Sequence, residues 1–230
     1  MLRNATGTAT SMSLALDHAF IMCSSGAPEG DSLVERGFLE GSRNVHPGQG
    51  TANRRFFFEN FMLELIWVED PAEANSERTR RTRLWERWAG RDKGLSPFGI
   101  IFSAAGADAS PAPFPTWAYR PAYLPPDMTI DIAEGTRLDE PELYYIPSMR
   151  RDRPRDEPTE HALPIRRILG VEVGLSGIDG VSTPLRAART AGLLSFVESQ
   201  DPMLEIRYAS ESGEIVDLKP TLPLVFRGVP

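Results

Sequence analysis

From residue 15 to residue 23 the chain runs apolar with a weak alternation, and Ser24, Ser25, Gly26 and Pro28 end the run. That pattern predicts a buried strand leading into a turn. A short helix is expected next, with Pro28 in its first turn, Glu29 and Asp31 favouring its N-terminal dipole, and Gly37 as its stop. The Gly-, Ser- and Asn-rich stretch that follows predicts one short strand over 42–45 and then the loop His46-Pro-Gly-Gln-Gly50. Two aromatic and β-branched runs, 53–59 and 62–68, read as a hairpin turning at Glu59-Asn60. A helix is expected from Asn75 or Ser76 to about Ala89. Leu84, Trp85 and Trp88 form its apolar stripe, and Arg78, Arg80, Arg81, Arg83 and Arg87 its solvated face.

Prolines then forbid long helices, and four strands are expected over 98–103, 117–119, 128–132 and 143–146. The charged, Pro-rich run Met149 to Thr159 marks a linker. Beyond it the early order returns, as a strand over 168–175, a helix over 183–192 and strands over 194–198, 203–208 and 215–226. Met62-Leu-Glu-Leu65 and Met203-Leu-Glu-Ile206 stand at matching places, a sign of duplication. The chain therefore divides into a leader at 1–14, paired units at 15–149, a linker at 150–164 and a third unit at 165–230 that completes or extends the sheet.

Composition narrows the class. A chain of 230 residues buries a full core without staples, and its one cysteine, Cys23, sits in an apolar run where it reads as packing. A net charge of −7 argues against a general nucleic-acid surface. No apolar stretch approaches the ~20 residues that cross a bilayer, so no membrane partner is expected and the cytoplasm is the default location.

Two residues stand out chemically. Strand alternation puts His18 on one face with Leu16, Phe20 and Met22, and Glu64 on one face with Met62, Ile66 and Val68. An imidazole and a carboxylate on apolar faces need a partner, a proton or a metal. Two readings stay open: a divalent-metal or catalytic site with Glu64 as base, or a buried hydrogen bond that only organises the core. In the neighbouring loop and strand, His46, Gln49, Thr51 and Asn53 supply neutral donors for an oxygen-rich ligand, and Arg55 suits a ligand carboxylate or pairs with Glu59.

The stretches Leu16-Asp-His-Ala-Phe-Ile-Met-Cys23, His46-Pro-Gly-Gln-Gly-Thr-Ala-Asn-Arg-Arg-Phe-Phe-Phe58 and Met62-Leu-Glu-Leu-Ile-Trp-Val68 resemble glyoxalase-like proteins of the vicinal-oxygen-chelate superfamily. The resemblance implies an α+β fold of repeated βαβββ modules that form a curved, cup-shaped mixed sheet with helices outside. It implies a ligand in the cup, with Phe57 and Trp67 joining the loop residues as contacts. In metal-using members a first-strand histidine and a fourth-strand glutamate bind the ion, and His18 and Glu64 match those positions. The second pair of ligands has no counterpart, since 98–103 lacks a histidine and 141–147 lacks a suitably placed carboxylate. The implied activity is a divalent-metal-dependent lyase, isomerase or dioxygenase acting on an oxygenated metabolite, with no nucleotide cofactor. The alternative is a metal-free binding or resistance protein whose aromatic cup uses Phe56, Phe58, Trp67 and Trp117. An odd third unit implies a homodimer.

Overall fold

The computed structural model describes residues 14–104, 111–147 and 156–230. The expected leader, up to residue 13, and residues 150–155 of the expected linker lie outside them. The first half of the chain forms β1 (Leu14–Met22), α1 (Asp31–Glu35), β2 (Asn44–His46), β3 (Thr51–Phe57) and β4 (Met62–Val68). Then come α2 (Pro71–Ala74), α3 (Leu84–Gly90), β5 (Phe98–Ala104), β6 (Thr116–Tyr119), β7 (Ile130–Ala133) and β8 (Glu142–Ile146). All eight strands make one mixed sheet in the order β2-β3-β4-β1-β5-β8-β7-β6.

Each half repeats the same pairing. β1 lies parallel to β4 and β5 parallel to β8, while β1 and β5 meet antiparallel at the centre. This is the curved α+β sheet expected of paired modules, its strands rich in β-branched and aromatic residues where the sheet is buried.

The helix expected over 75–89 is broken. Asp70 caps α2 by accepting from the amides of Ala72 and Glu73, so the helical turn begins at Pro71. Arg83 then adopts a left-handed φ of 58° and α3 starts after it. Nor are its arginines all solvated. Arg83 reaches Thr136 and Glu142. Arg87 is fully buried, spending its guanidinium on the carbonyls of Ser96, Arg137, Leu138 and Glu140 and on the Glu142 carboxylate at 3.2 Å. This pair ties α3 to β8.

The third unit is not a further copy of the module. It comprises β9 (Ile168–Leu175), α4 (Thr183–Thr190), β10 (Ser195–Glu198), β11 (Met203–Ala209), β12 (Ile215–Asp217) and β13 (Leu224–Val229). These strands form a separate five-stranded sheet, β10-β9-β11-β13-β12, instead of completing or extending the first. The single strand expected over 215–226 is two, β12 and β13, paired antiparallel across a turn. The duplication between 62–65 and 203–206 also fails topologically, because β4 lies parallel to β1 whereas β11 lies antiparallel to β9. The odd module that motivated a homodimer is therefore not there.

One face of the second sheet, with α4, shares a single apolar core with one face of the first. Ile21, Leu63, Phe98, Ile100, Phe102 and Leu143 meet Val171, Val173, Leu204, Ile206 and Phe226 there. On the outer face Glu172 and Glu205 pair with Arg207 and Arg227.

Removing one partner of a buried ion pair strands the other charge. Arg87→Met should cost about 3–5 kcal/mol in a denaturant titration, whereas exposed Arg78→Ala should stay within about 0.5 kcal/mol. Equal losses would show that the buried pair does not hold α3.

Candidate functional site

The face of the eight-stranded sheet turned away from the second sheet encloses a cavity of about 540 Å³. Its walls come from both halves of the sheet. Met62, His18, Ile101 and Tyr144 stand in one row across β4, β1, β5 and β8, neighbouring strands being about 4.8 Å apart. Phe20, Ile66, Leu84, Tyr119, Ile130, Ile132 and Ile146 complete an apolar floor. Gly99 sits opposite Phe20, and a methyl there would collide with the ring at 2.1 Å, so the missing side chain is what lets the ring lie down.

The other end of the cavity is polar, lined by Asp17, His18, Asn44, His46, Gln49, Arg55 and Glu64. Asp17 was not anticipated, since adjacent strand residues point to opposite faces. A bulge between Leu16 and His18 in the pairing with β5 changes that. Ahead of it Leu14 and Leu16 pack into the core shared with the second sheet, and behind it Ala19 and Ile21 do. The cavity face thus switches from odd to even positions, and Asp17 and His18 both line it. Leu16 loses the place expected for it beside His18. The Asp17 Oδ1 and His18 Nδ1 atoms are 2.7 Å apart in a buried pair.

His46 closes the end of β2. Its Nδ1 lies 2.9 Å from the Thr51 hydroxyl, which accepts a hydrogen bond from Gln49 Nε2 at 2.8 Å. Tyr123 donates to Gln49 Oε1 at 3.2 Å and stacks on His46 with ring centroids 4.7 Å apart. Burial lowers the His46 pKa, partly offset by the nearby charge of Glu64. Burial raises the Tyr123 phenol and pushes Tyr119 up to about 12, so both keep their protons.

The expected contacts separate cleanly. His18, His46, Gln49, Arg55, Phe57 and Glu64 all line the cavity. Thr51 stands behind His46 and Gln49, and Asn53 Oδ1 accepts from the Asn44 amide at 3.0 Å while its buried Nδ2 has no partner among the described residues. Trp67 lies on the opposite face, in the shared core, and its indole donates to Glu69. Phe56 and Phe58 of the expected aromatic cup are in that core too; the aromatic walls are Phe20, Phe57, Tyr119, Tyr123 and Tyr144. Arg55 pairs with Glu157 and Ser42 at the rim rather than with Glu59. Cys23 is buried and its thiol pushed well up by desolvation, which leaves it a packing group.

A metal does not fit this donor set. β1 and β4 bring His18 and Glu64 to one wall, but β5 and β8 answer with Ile101, Tyr144 and Ile146, which offer no second pair of ligands. Among the described residues no three His, Cys, Asp or Glu side chains are grouped to hold an ion.

A family model described as a glyoxalase-like domain matches residues 16–165. A search of curated protein sequences gives no match. Among solved structures, the crystal structure of a hypothetical protein from Staphylococcus aureus is similar at a TM-score of 0.52 and 9% identity, over 94% of this chain and 99% of that one. A mutant 4-hydroxymandelate synthase from Streptomyces coelicolor matches at a TM-score of 0.40 and 12% identity, over 93% and 61%. The first likeness is one of fold alone, and the second is too loose to argue from. Among the described residues no helix is long and apolar enough to cross a membrane.

Two histidines, His46 and His161, have lowered pKa values, with burial the largest cause in each. Unfolded imidazoles protonate near about 6.5. Their contribution to stability is full above that value and is lost as pH falls toward the lowered folded values. Denaturation midpoints should therefore drop between about pH 7 and about pH 5, and His46→Phe should shrink the drop; an unchanged slope would show that His46 titrates normally.

Proposed function

This chain belongs to the glyoxalase-like domain family, and from that premise we propose that it binds a small, oxygenated organic molecule in the concave sheet without a metal. The ligand is apolar along most of its length, packing against Phe20, Ile101, Ile132 and Ile146, and its oxygen-bearing end meets His18, His46, Gln49, Arg55 and Glu64. Phe57 closes one side.

The observation that carries this reading is the Tyr144 hydroxyl. It lines the cavity, is buried, and has no hydrogen-bond partner among the described residues. An orphaned buried donor costs about 1–3 kcal/mol, a cost that a ligand oxygen would remove. Desolvation also raises the Tyr144 pKa, so the phenol stays a donor.

Opposite signs are expected from one substitution. Tyr144→Phe should leave the free protein as stable or up to about 1 kcal/mol more stable, while weakening a ligand that accepts from the hydroxyl by about 0.5–1.5 kcal/mol. Thermal-shift titration of aryl ketones, aryl carboxylates and amides against both proteins measures this. Ile101→Trp, which fills the cavity, should abolish every such shift. Shifts that survive Ile101→Trp would put the ligand elsewhere. Manganese or zinc ions alone should shift nothing, and a stoichiometric metal-dependent shift lost in Glu64→Gln would overturn the metal-free reading.

A further inference from the structure

We infer that Ser42 and Arg55 form a carboxylate subsite at the mouth of the cavity, and that the chain's own Glu157 fills it until an organic acid takes its place. The inference rests on the binding reading proposed above and deepens it, naming a carboxylate as the ligand's polar group and Glu157 as its built-in competitor.

Three donors gather around one carboxylate. The Ser42 amide donates to Glu157 Oε2 at 2.9 Å, and the Ser42 hydroxyl donates to Glu157 Oε1. Arg55 stands behind them. Its Nη2 donates to the Ser42 hydroxyl oxygen and lies 3.7 Å from Glu157 Oε1, and its Nε donates to the Ser42 carbonyl at 2.7 Å. The Phe57 ring supports the guanidinium, whose central carbon lies 5.2 Å from the ring centroid. The neighbouring backbone is shaped to admit the acid. A methyl at Gly41 would meet the Phe57 ring at 2.5 Å and Glu157 Oε2 at 2.6 Å, and the Gly41 amide is held beside β3 by the Arg55 carbonyl at 2.8 Å. An amide, a hydroxyl and a guanidinium directed at two oxygens are the donor set of charge-assisted carboxylate recognition.

The occupant comes from the segment that joins the two sheets. That segment is fastened a few residues further on, where His161 Nδ1 accepts from the Leu39 amide at 3.0 Å and the Ala162 amide donates to the Gly37 carbonyl at 2.9 Å. Releasing the Glu157 side chain therefore leaves the joint between the sheets in place. The subsite opens on the cavity, since Arg55, Phe57 and Glu157 all belong to its wall. Among the described residues Arg55 is the one lysine or arginine in that wall, and its planar fork suits a carboxylate. Arg55, Glu64 and Phe20 stand in one row across β3, β4 and β1, which sets the apolar floor two strands, about 10 Å, from the arginine. The charge of Glu64 keeps an acid off the middle of the row and on the Ser42 side. The ligand class is an organic acid with a short chain between its carboxylate and an apolar body of ring size. A tethered carboxylate competes at an effective concentration on the order of 1 mM, so the subsite selects acids that also gain from the floor.

Thermal-shift titrations at fixed ionic strength compare 3-phenylpropanoate with 4-phenyl-2-butanone, its uncharged methyl-ketone counterpart. Glu157→Gln should bind the acid about tenfold more tightly than the unaltered protein, because the subsite is open for more of the time, and should bind the ketone equally. Equal or weaker binding of the acid by Glu157→Gln would reduce Glu157 to a brace at the rim and overturn the inference. A second measurement needs no ligand in the cavity. Sodium acetate, set against sodium chloride at the same ionic strength, should raise the denaturation midpoint of Glu157→Ala saturably and leave that of the double variant Arg55→Gln, Glu157→Ala unmoved. An acetate effect missing from Glu157→Ala, or undiminished without Arg55, also overturns it. Should both phenyl compounds bind neither protein while the acetate effect is intact, the subsite stands and the cavity reading falls.

Discussion

The antiparallel pairing of β1 with β5 is the contact on which the rest of the molecule depends. It joins two four-stranded halves edge to edge, so that residues remote in sequence fall into one row on one face. Backbone hydrogen bonds set the spacing of that row, and side chains only fill it. Because the ladder is nearly regular, its single irregularity has a large effect. One extra residue before His18 reverses the in-and-out alternation and brings a carboxylate to the cavity beside an imidazole.

The two faces of the large sheet have different fates. One is closed by the five-stranded sheet and α4, whose apolar sides interleave with it in a continuous core. The other has no second sheet across it among the described residues and is left hollow over an apolar floor. On the hollow side β8 is tied to α3 by ions and not by packing alone. Glu142 is fully buried between Arg83 and Arg87, and Arg87 also gathers four backbone carbonyls, so α3 is anchored where it borders the cavity. Such a cluster tolerates burial because its opposite charges are paired, with Arg87 Nε left without a partner among the described residues.

Period-2 patterning located β4, β5, β8 and β9 to within a residue or so, since a buried strand is announced by its own apolar side chains. The helix after Asp70 departs from its sequence pattern for the opposite reason. Its arginines look like a solvated face by composition, and only the carboxylate of Glu142, more than fifty residues downstream, draws Arg83 and Arg87 inward. The third unit misled through a four-residue similarity. Met203-Leu-Glu-Ile206 has the look of Met62-Leu-Glu-Leu65, yet it pairs antiparallel to its neighbour, and strand direction is not written in a strand's own residues.

What the sequence by itself determined is local: which segments are strands, that His18 and Glu64 sit among apolar neighbours, and that His46 and Gln49 flank a turn. Those follow from side-chain periodicity and turn chemistry within a few residues. Tertiary structure alone decided that Asp17 joins His18, that Thr51, Asn53 and Trp67 stay out of the cavity, and that isoleucines and a tyrosine face His18 and Glu64 from the other half of the sheet. The physical reason is that a site is made by register and bulges between strands, and these depend on pairs of segments that no single stretch of the chain contains.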